Sequence, residues 1–217
     1  MDLIFSYQTF QVRYFYDPVG FIENCIEFPI KGGPAPYQLD VADLLITNNR
    51  ASARGLHGWG KTALASWLTH WFALTRDGIV DWKEITTASV NRQLSKYLWP
   101  EIHKWSRKLK WDMIGRNPYS QHELLMMDLK LSTGQAFAVS STDPQLIEGA
   151  HANQIFYLFD ESKAISEEVF DAAEGAFASP DVKNGYALAI STPGGRHGRF
   201  YSIQSRKPGY EDPGRVL

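Results

Sequence analysis

Residues 55–62 read Gly-Leu-His-Gly-Trp-Gly-Lys-Thr, a complete G-x-x-x-x-G-K-[ST] loop, and this run restricts the fold more than any other part of the chain. Gly55, Gly58 and Gly60 permit a tight turn whose backbone N–H groups can point at phosphate oxygens. In such a loop Lys61 reaches the β/γ-phosphates and the Thr62 hydroxyl ligates Mg²⁺. The flanks suit the motif. Ala51-Ser52-Ala53 can end a strand, and from Thr62 to Leu74 the residues Ala63, Leu64, Trp67, Leu68, Trp71 and Phe72 fall at helical spacing. A bound phosphate then lies on a helix N-terminus. The competing explanation is a Gly-rich turn before an amphipathic helix. Trp59 is bulky for a residue so near phosphate, but its side chain can point outward, so it does not count against binding and stays among the candidate nucleotide-binding residues.

A phosphate loop of this kind needs a parallel sheet around it, and the rest of the chain supplies one. Glu84–Ser89 reads as a strand, and Val90–Lys108 has helical spacing with a kink at Pro100. Residues 126–141 read as two strands around Ser132-Thr133-Gly134, followed by a loop through Asp143-Pro144 and Glu148-Gly149. The continuous apolar run Ile155–Phe159 suits a strand buried on both faces. Ile165–Phe177 is an amphipathic helix, and Tyr186–Ile190 is another buried strand. The first fifty residues are aromatic-rich and read as irregular, broken by Pro18, Pro29, Pro34 and Pro36, with a short helix over Tyr37–Leu45. Strands alternating with helices predict an α/β fold with a mostly parallel central sheet flanked by helices.

Nucleotide hydrolysis requires a second strand that carries carboxylates. Ile155–Phe159 ends in Asp160-Glu161, which places Asp160 to hold Mg²⁺ and Glu161 to polarise the attacking water. An acidic pair capping a surface strand has the same local sequence, but open α/β sheets gather ligands at the carboxyl ends of their strands. Ala187–Ile190 likewise leads into Ser191-Thr192-Pro193-Gly194. Those hydroxyls could bond the γ-phosphate or the lytic water, or could belong to an ordinary strand followed by a Pro-Gly turn.

Composition excludes several other classes. With 44% hydrophobic and 21% charged residues, the 217-residue chain is globular rather than disordered. One cysteine, Cys25, excludes an internal disulfide framework and a cysteine-rich zinc site. No apolar run is long enough to span a bilayer, and the N-terminus lacks a basic signal-peptide region, so a soluble intracellular protein is expected. A net charge of −2 offers no global attraction to nucleic acid.

Three strand-end motifs in this order, with Asp-Glu after the second, mark P-loop ATPases that carry an additional catalytic glutamate. Within that class the chain resembles the ATPase domain of the large terminase subunit, the motor that packages DNA into tailed-phage heads. The resemblance rests on Tyr37-Gln38, Arg54-Gly55 to Thr62, Thr87-Ala88-Ser89 with Arg92-Gln93, Glu148-Gly149-Ala150-His151, Asp160-Glu161-Ser162-Lys163 and Ser191-Thr192-Pro193. It covers most of the chain and implies Mg²⁺-dependent ATP hydrolysis driving translocation of double-stranded viral DNA. Implied partners are that DNA, further copies of the chain in a ring on the portal, and the small terminase subunit, in the host cytoplasm and without a membrane. It also implies roles for single residues. Gln38 matches the glutamine that reads adenine, and Arg54 an arginine that acts near the γ-phosphate as a finger in cis. Ser191 and Thr192 match the coupling motif, and Arg196 and Arg199 are candidates for contact with a neighbouring subunit. Lys104, Arg107, Lys108 and Lys110 are the best local candidates for DNA contact, although a solvated helix face has the same composition. Large terminases carry a nuclease domain after the ATPase, whereas Leu217 follows the coupling motif closely. The expectation is an ATPase domain over 1–206 with a Pro/Gly-rich tail over 207–217. Two other functions fit the same motifs: a nucleotide-binding module that does not hydrolyse, and a helicase-like DNA-dependent ATPase.

Overall fold

A computed structural model describes residues 6–205; the expected tail over 207–217 lies outside them. In chain order the elements are α1 (Tyr7–Tyr14), α2 (Pro18–Cys25), α3 (Pro36–Asn48), β1 (Arg50–Arg54), α4 (Lys61–Arg76), β2 (Trp82–Ala88), α5 (Asn91–Gln93), α6 (Trp99–Ser106) and α7 (Trp111–Ile114). They continue with β3 (Leu124–Leu125), β4 (Asp128–Lys130), β5 (Gly134–Ser140), α8 (Pro144–Glu148), β6 (Gln154–Asp160), α9 (Glu167–Phe177), β7 (Asn184–Ser191) and α10 (Gly198–Gln204).

The strands form one seven-stranded sheet in the order β1-β7-β6-β2-β5-β4-β3. The first five are mutually parallel; β4 and β3 add an antiparallel edge. This is the expected mostly parallel α/β sheet flanked by helices. All seven residues of β6 are buried because both faces are covered. Phe156 and Leu158 enter the core with α1–α4 and α6, while Ile155, Tyr157 and Phe159 pack with α9 on the other face. α4 is buried from Leu64 through Arg76, so the helix after the phosphate loop is central and anchors that loop. Among the described residues no helix is long and apolar enough to cross a membrane.

Two local expectations need correction, and the structure explains a third. The first fifty residues are not irregular, because Pro18 and Pro36 occupy the first turns of α2 and α3, where a missing N–H and a fixed φ cost nothing. The stretch 143–149 is not a loop: Asp143 caps α8 by accepting from the Leu146 N–H at 3.3 Å. The kink at Pro100 is a π turn over Leu94–Leu98, in which the Trp99 N–H bonds the Leu94 carbonyl five residues back. Pro100 has no N–H for the Lys96 carbonyl, so the ladder shifts by one residue there. After β7 the chain continues into α10.

Candidate nucleotide-binding site

The phosphate loop joins β1 to α4 with Gly58 and Gly60 at φ +82° and +75°, the left-handed region that favours glycine. Gly60 is also pressed from outside: a Cβ there would lie 2.8 Å from Gln38 Nε2. That amide donates to the Gly60 carbonyl at 2.9 Å, and Gln38 Oε1 accepts from the Ala35 N–H at 2.7 Å. Gln38 is therefore a buried brace between the start of α3 and the loop. Lys61 Nζ donates to the Gly55 and Leu56 carbonyls, both at 2.8 Å. Burial pulls the Lys61 ammonium down from its usual value, against the opposing carboxylates of Glu161 and Asp160. Trp59 is half-exposed and leans over Gly55, its ring 5.6 Å from that of Tyr37. It does not enter the cleft.

The sheet order brings the second half of the site to the loop. β7 lies between β1 and β6, with Ser191 in register with Arg54 and Ala189 with Phe159, so three strand ends open on one side. Asp160 is buried there, and its Oδ1 accepts from the Glu161 N–H at 2.9 Å. Burial pushes its carboxyl up to about 6; the charge of Glu161 adds to the rise, while that N–H and Lys61 oppose it. Glu161 adopts φ 49°, ψ 44°, a left-handed conformation uncommon outside glycine. Its Oε2 accepts from Ser191 Oγ at 3.1 Å and from Thr192 Oγ1 at 3.4 Å.

A cleft of about 540 Å³ runs between these parts. Gly58, Gly60, Lys61 and Thr62 line one wall, Asp160 and Glu161 the floor, and Gln93, Tyr97 and Glu101 the far wall. A separate crevice under β1, between α9 and α10, contains none of the phosphate-loop residues. Among the described residues no group of three or more His, Cys, Asp and Glu is gathered as a metal site. Thr62 and Asp160, the residues whose oxygens would hold Mg²⁺, both line the cleft.

Arg54 stands apart from the group. It is exposed at the end of β1 and lines a small neighbouring cleft with Lys163, Gly194 and Tyr201, not the phosphate cleft. Arg199 pairs with Glu167 at 2.9 Å and with Asp171, which fastens α10 to α9; Arg196 is exposed. Lys104, Arg107 and Lys108 do share a groove with Phe28 and Pro29, but Lys104 bonds Glu101 at 2.8 Å and Lys110 turns to the Asn24 carbonyl at 3.0 Å. Of the far wall, the sequence singled out Gln93, within the resemblance, but not Tyr97 or Glu101. That wall depends on the π turn, whose position the apolar spacing does not show.

A parallel sheet, a glycine loop feeding a buried helix, and an Asp-Glu pair two strands away define a P-loop nucleotide-binding fold. Within that class the fold is that of the large terminase ATPase domains. It superposes on the large terminase of bacteriophage HK97 with a TM-score of 0.64 and 17% identity, over 92% of this chain and 42% of that one. For the large terminase ATPase domain of Thermus phage P74-26 the values are 0.57 and 19%, over 78% and 68%. For the large terminase of a thermophilic bacteriophage in complex with ADP they are 0.55 and 16%, over 84% and 44%. At these identities the likeness is one of fold, and the chain spans less than half the length of the HK97 protein and of the ADP-bound one. No protein-family model and no curated protein matches the sequence.

Proposed function

We propose that this chain is the ATPase portion of a large terminase subunit, hydrolysing ATP with Mg²⁺ to move double-stranded viral DNA into a capsid. One observation carries the reading. The Glu161 carboxylate is held by hydroxyls of the neighbouring strand end, in a residue that lines the same cleft as Lys61 and Thr62. That arrangement suits a base that orients water beside a phosphoryl group seated on a helix N-terminus. Support from outside the chain is that a large terminase sharing the fold, from a thermophilic bacteriophage, has been captured with ADP.

In this mechanism the loop N–H groups and Lys61 neutralise charge on the phosphates, and Lys61 exchanges its two carbonyl partners for phosphate oxygens. Thr62 and Asp160 would hold Mg²⁺, which would supply positive charge to offset that developing on the phosphates. Glu161 accepts the proton of the attacking water. Ser191 and Thr192, bonded to Glu161 from β7, carry the change at the γ-phosphate into the sheet. Gln38 holds the loop and takes the adenine edge with its remaining amide hydrogen, while Gly55 and Trp59 close the loop beside Tyr37. Arg54 swings from its adjoining cleft towards the γ-phosphate. Double-stranded DNA, a ring of copies on the portal and a small terminase subunit are the partners of this reading, in the host cytoplasm.

The test is ATP turnover with and without double-stranded DNA in wild type and Glu161→Gln. Turnover should rise with DNA. In the variant it should fall by about 10²–10⁴-fold, the usual contribution of a positioned base, with affinity for an ATP analogue within about threefold of wild type. Undiminished turnover in Glu161→Gln would remove the assignment.

A further inference from the structure

A third residue after the strand end joins this site. Lys163 lies in the single 3₁₀ turn Ser162–Ala164 that follows Glu161. Its Nζ donates to Thr192 Oγ1 at 2.5 Å and sits 3.6 Å from Glu161 Oε2, while its main-chain N–H donates to Ser191 Oγ at 3.3 Å. A hydroxyl has one proton to give. Because Ser191 and Thr192 each accept from Lys163, their own protons are left for Glu161 Oε2, which receives both. One lysine therefore orients both hydroxyls and adds a positive charge beside the same carboxylate oxygen. Glu161 Oε1 has no hydrogen-bond partner among the described residues, so one oxygen is anchored and the other is left for water.

Two further features show that the arrangement is built rather than incidental. Glu161 has a left-handed backbone, a costly setting that persists only where the surroundings determine it. The Lys163 stem runs over Gly194, where an added Cβ would come within 3.0 Å of Lys163 Cβ and 3.1 Å of its Cδ. The Pro-Gly turn after β7 thus leaves room for this side chain. Ser162 completes the joint, its hydroxyl meeting the Phe159 and Ile190 carbonyls at 2.8 and 3.1 Å.

We propose that Lys163 is a positioning residue that fixes the Glu161 carboxylate against the end of β7 through Ser191 and Thr192, presenting its free oxygen to the attacking water. This rests on the ATPase reading above. Lys163 acts through Glu161 and does not bind the nucleotide, since it does not line the phosphate cleft.

The experiment compares wild type, Lys163→Met, Lys163→Arg, Glu161→Gln and the Glu161→Gln/Lys163→Met double variant under single-turnover conditions, with the Kd of a fluorescent ATP analogue measured for each. Lys163→Met should lower the chemical rate by about 10- to 100-fold with Kd within about twofold, and Lys163→Arg should recover most of the loss. In the Glu161→Gln background the same change should cost less than about twofold, because the residue it positions is already disabled. An unchanged rate in Lys163→Met, or the same loss in both backgrounds, would overturn the proposal. Should wild type bind the analogue without turning over, the ATPase reading fails separately, and hydrogen exchange decides on Lys163. The Lys163 and Ala164 amides should then exchange about tenfold faster in Lys163→Met, and unchanged protection would refute the positioning role.

Discussion

Glu84 lies within β2, fully buried between the sheet and α4, and its Oε1 accepts from Thr69 Oγ1 at 2.6 Å while Oε2 has no partner among the described residues. Burial pushes its carboxyl up to about 8, against the lowering effect of that hydroxyl, so the native protein keeps it protonated at neutral pH. The unfolded chain releases the same proton near pH 4.5. A raised folded pKa means that the contribution is fully present below the unfolded value and is lost as pH rises towards about 8. Glu84→Gln keeps the shape and removes the titration. The melting temperature of the variant relative to wild type should therefore climb between pH 5 and pH 8, by the equivalent of a few kcal/mol. A constant difference across that range would show that Glu84 is ionised in the fold. Gly60 offers a second single-residue test, bearing on binding. Alanine there meets both a positive φ, costing roughly 1–2 kcal/mol, and the Gln38 amide. Gly60→Ala should stay folded yet bind an ATP analogue about tenfold more weakly, since 1.4 kcal/mol is a factor of ten.

Secondary structure could be read from sequence where one physical signal dominated. The buried strands β6 and β7 show as unbroken apolar runs, and α4 shows because Trp67, Trp71 and Phe72 share its spacing. The hairpin of β4 and β5 shows in Ser132-Thr133-Gly134. Where two signals competed, the reading failed. Pro18 and Pro36 break helices in the middle but begin them at the first turn, and only the capping contacts decide which; Asp17 accepts from the Gly20 N–H at 2.7 Å. At the site, Lys61, Thr62, Asp160, Glu161 and Ser191 were legible because each ends or begins an element whose burial is obvious. The contact of Lys163 with the end of β7 was not, since its partners lie 28 and 29 residues away. Pairing between elements also makes a prediction. Gly134 opens β5 directly opposite Trp82 of β2, and a Cβ there would lie 2.3 Å from the Trp82 carbonyl oxygen. The carbonyl is held in the sheet and the fully buried Trp82 ring lies 2.4 Å from the same point, which leaves no cheap way to shift. Gly134→Ala should cost at least about 2 kcal/mol in urea unfolding, well above the usual glycine-to-alanine effect in a strand.

Across the whole molecule, the site draws on elements far apart in sequence that the sheet order brings to one edge. β1 and α4 bring the loop, α3 braces it through Gln38, β6 brings Asp160 and Glu161, and β7 inserts Ser191 between them. A ligand that touches the loop and the β6 end together therefore links the edge strand β1 to the centre of the sheet. Binding to the native state alone stabilises it by about 2.7 kcal/mol at one hundred times Kd. In a domain of this size each kcal/mol moves the melting temperature by roughly 2–4 °C, so a saturating non-hydrolysable ATP analogue with Mg²⁺ should raise it by about 5–10 °C. Lys61→Ala removes the ammonium from the loop and should abolish most of the shift. Asp160→Asn should retain the shift seen with nucleotide alone and lose the increment that Mg²⁺ adds. Glu161→Gln should keep the full shift, because that carboxylate is assigned to water and not to binding. A Glu161→Gln shift as small as that of Lys61→Ala would mean that the acidic strand end binds nucleotide rather than positioning water, and the division of labour between β1 and β6 would have to be redrawn.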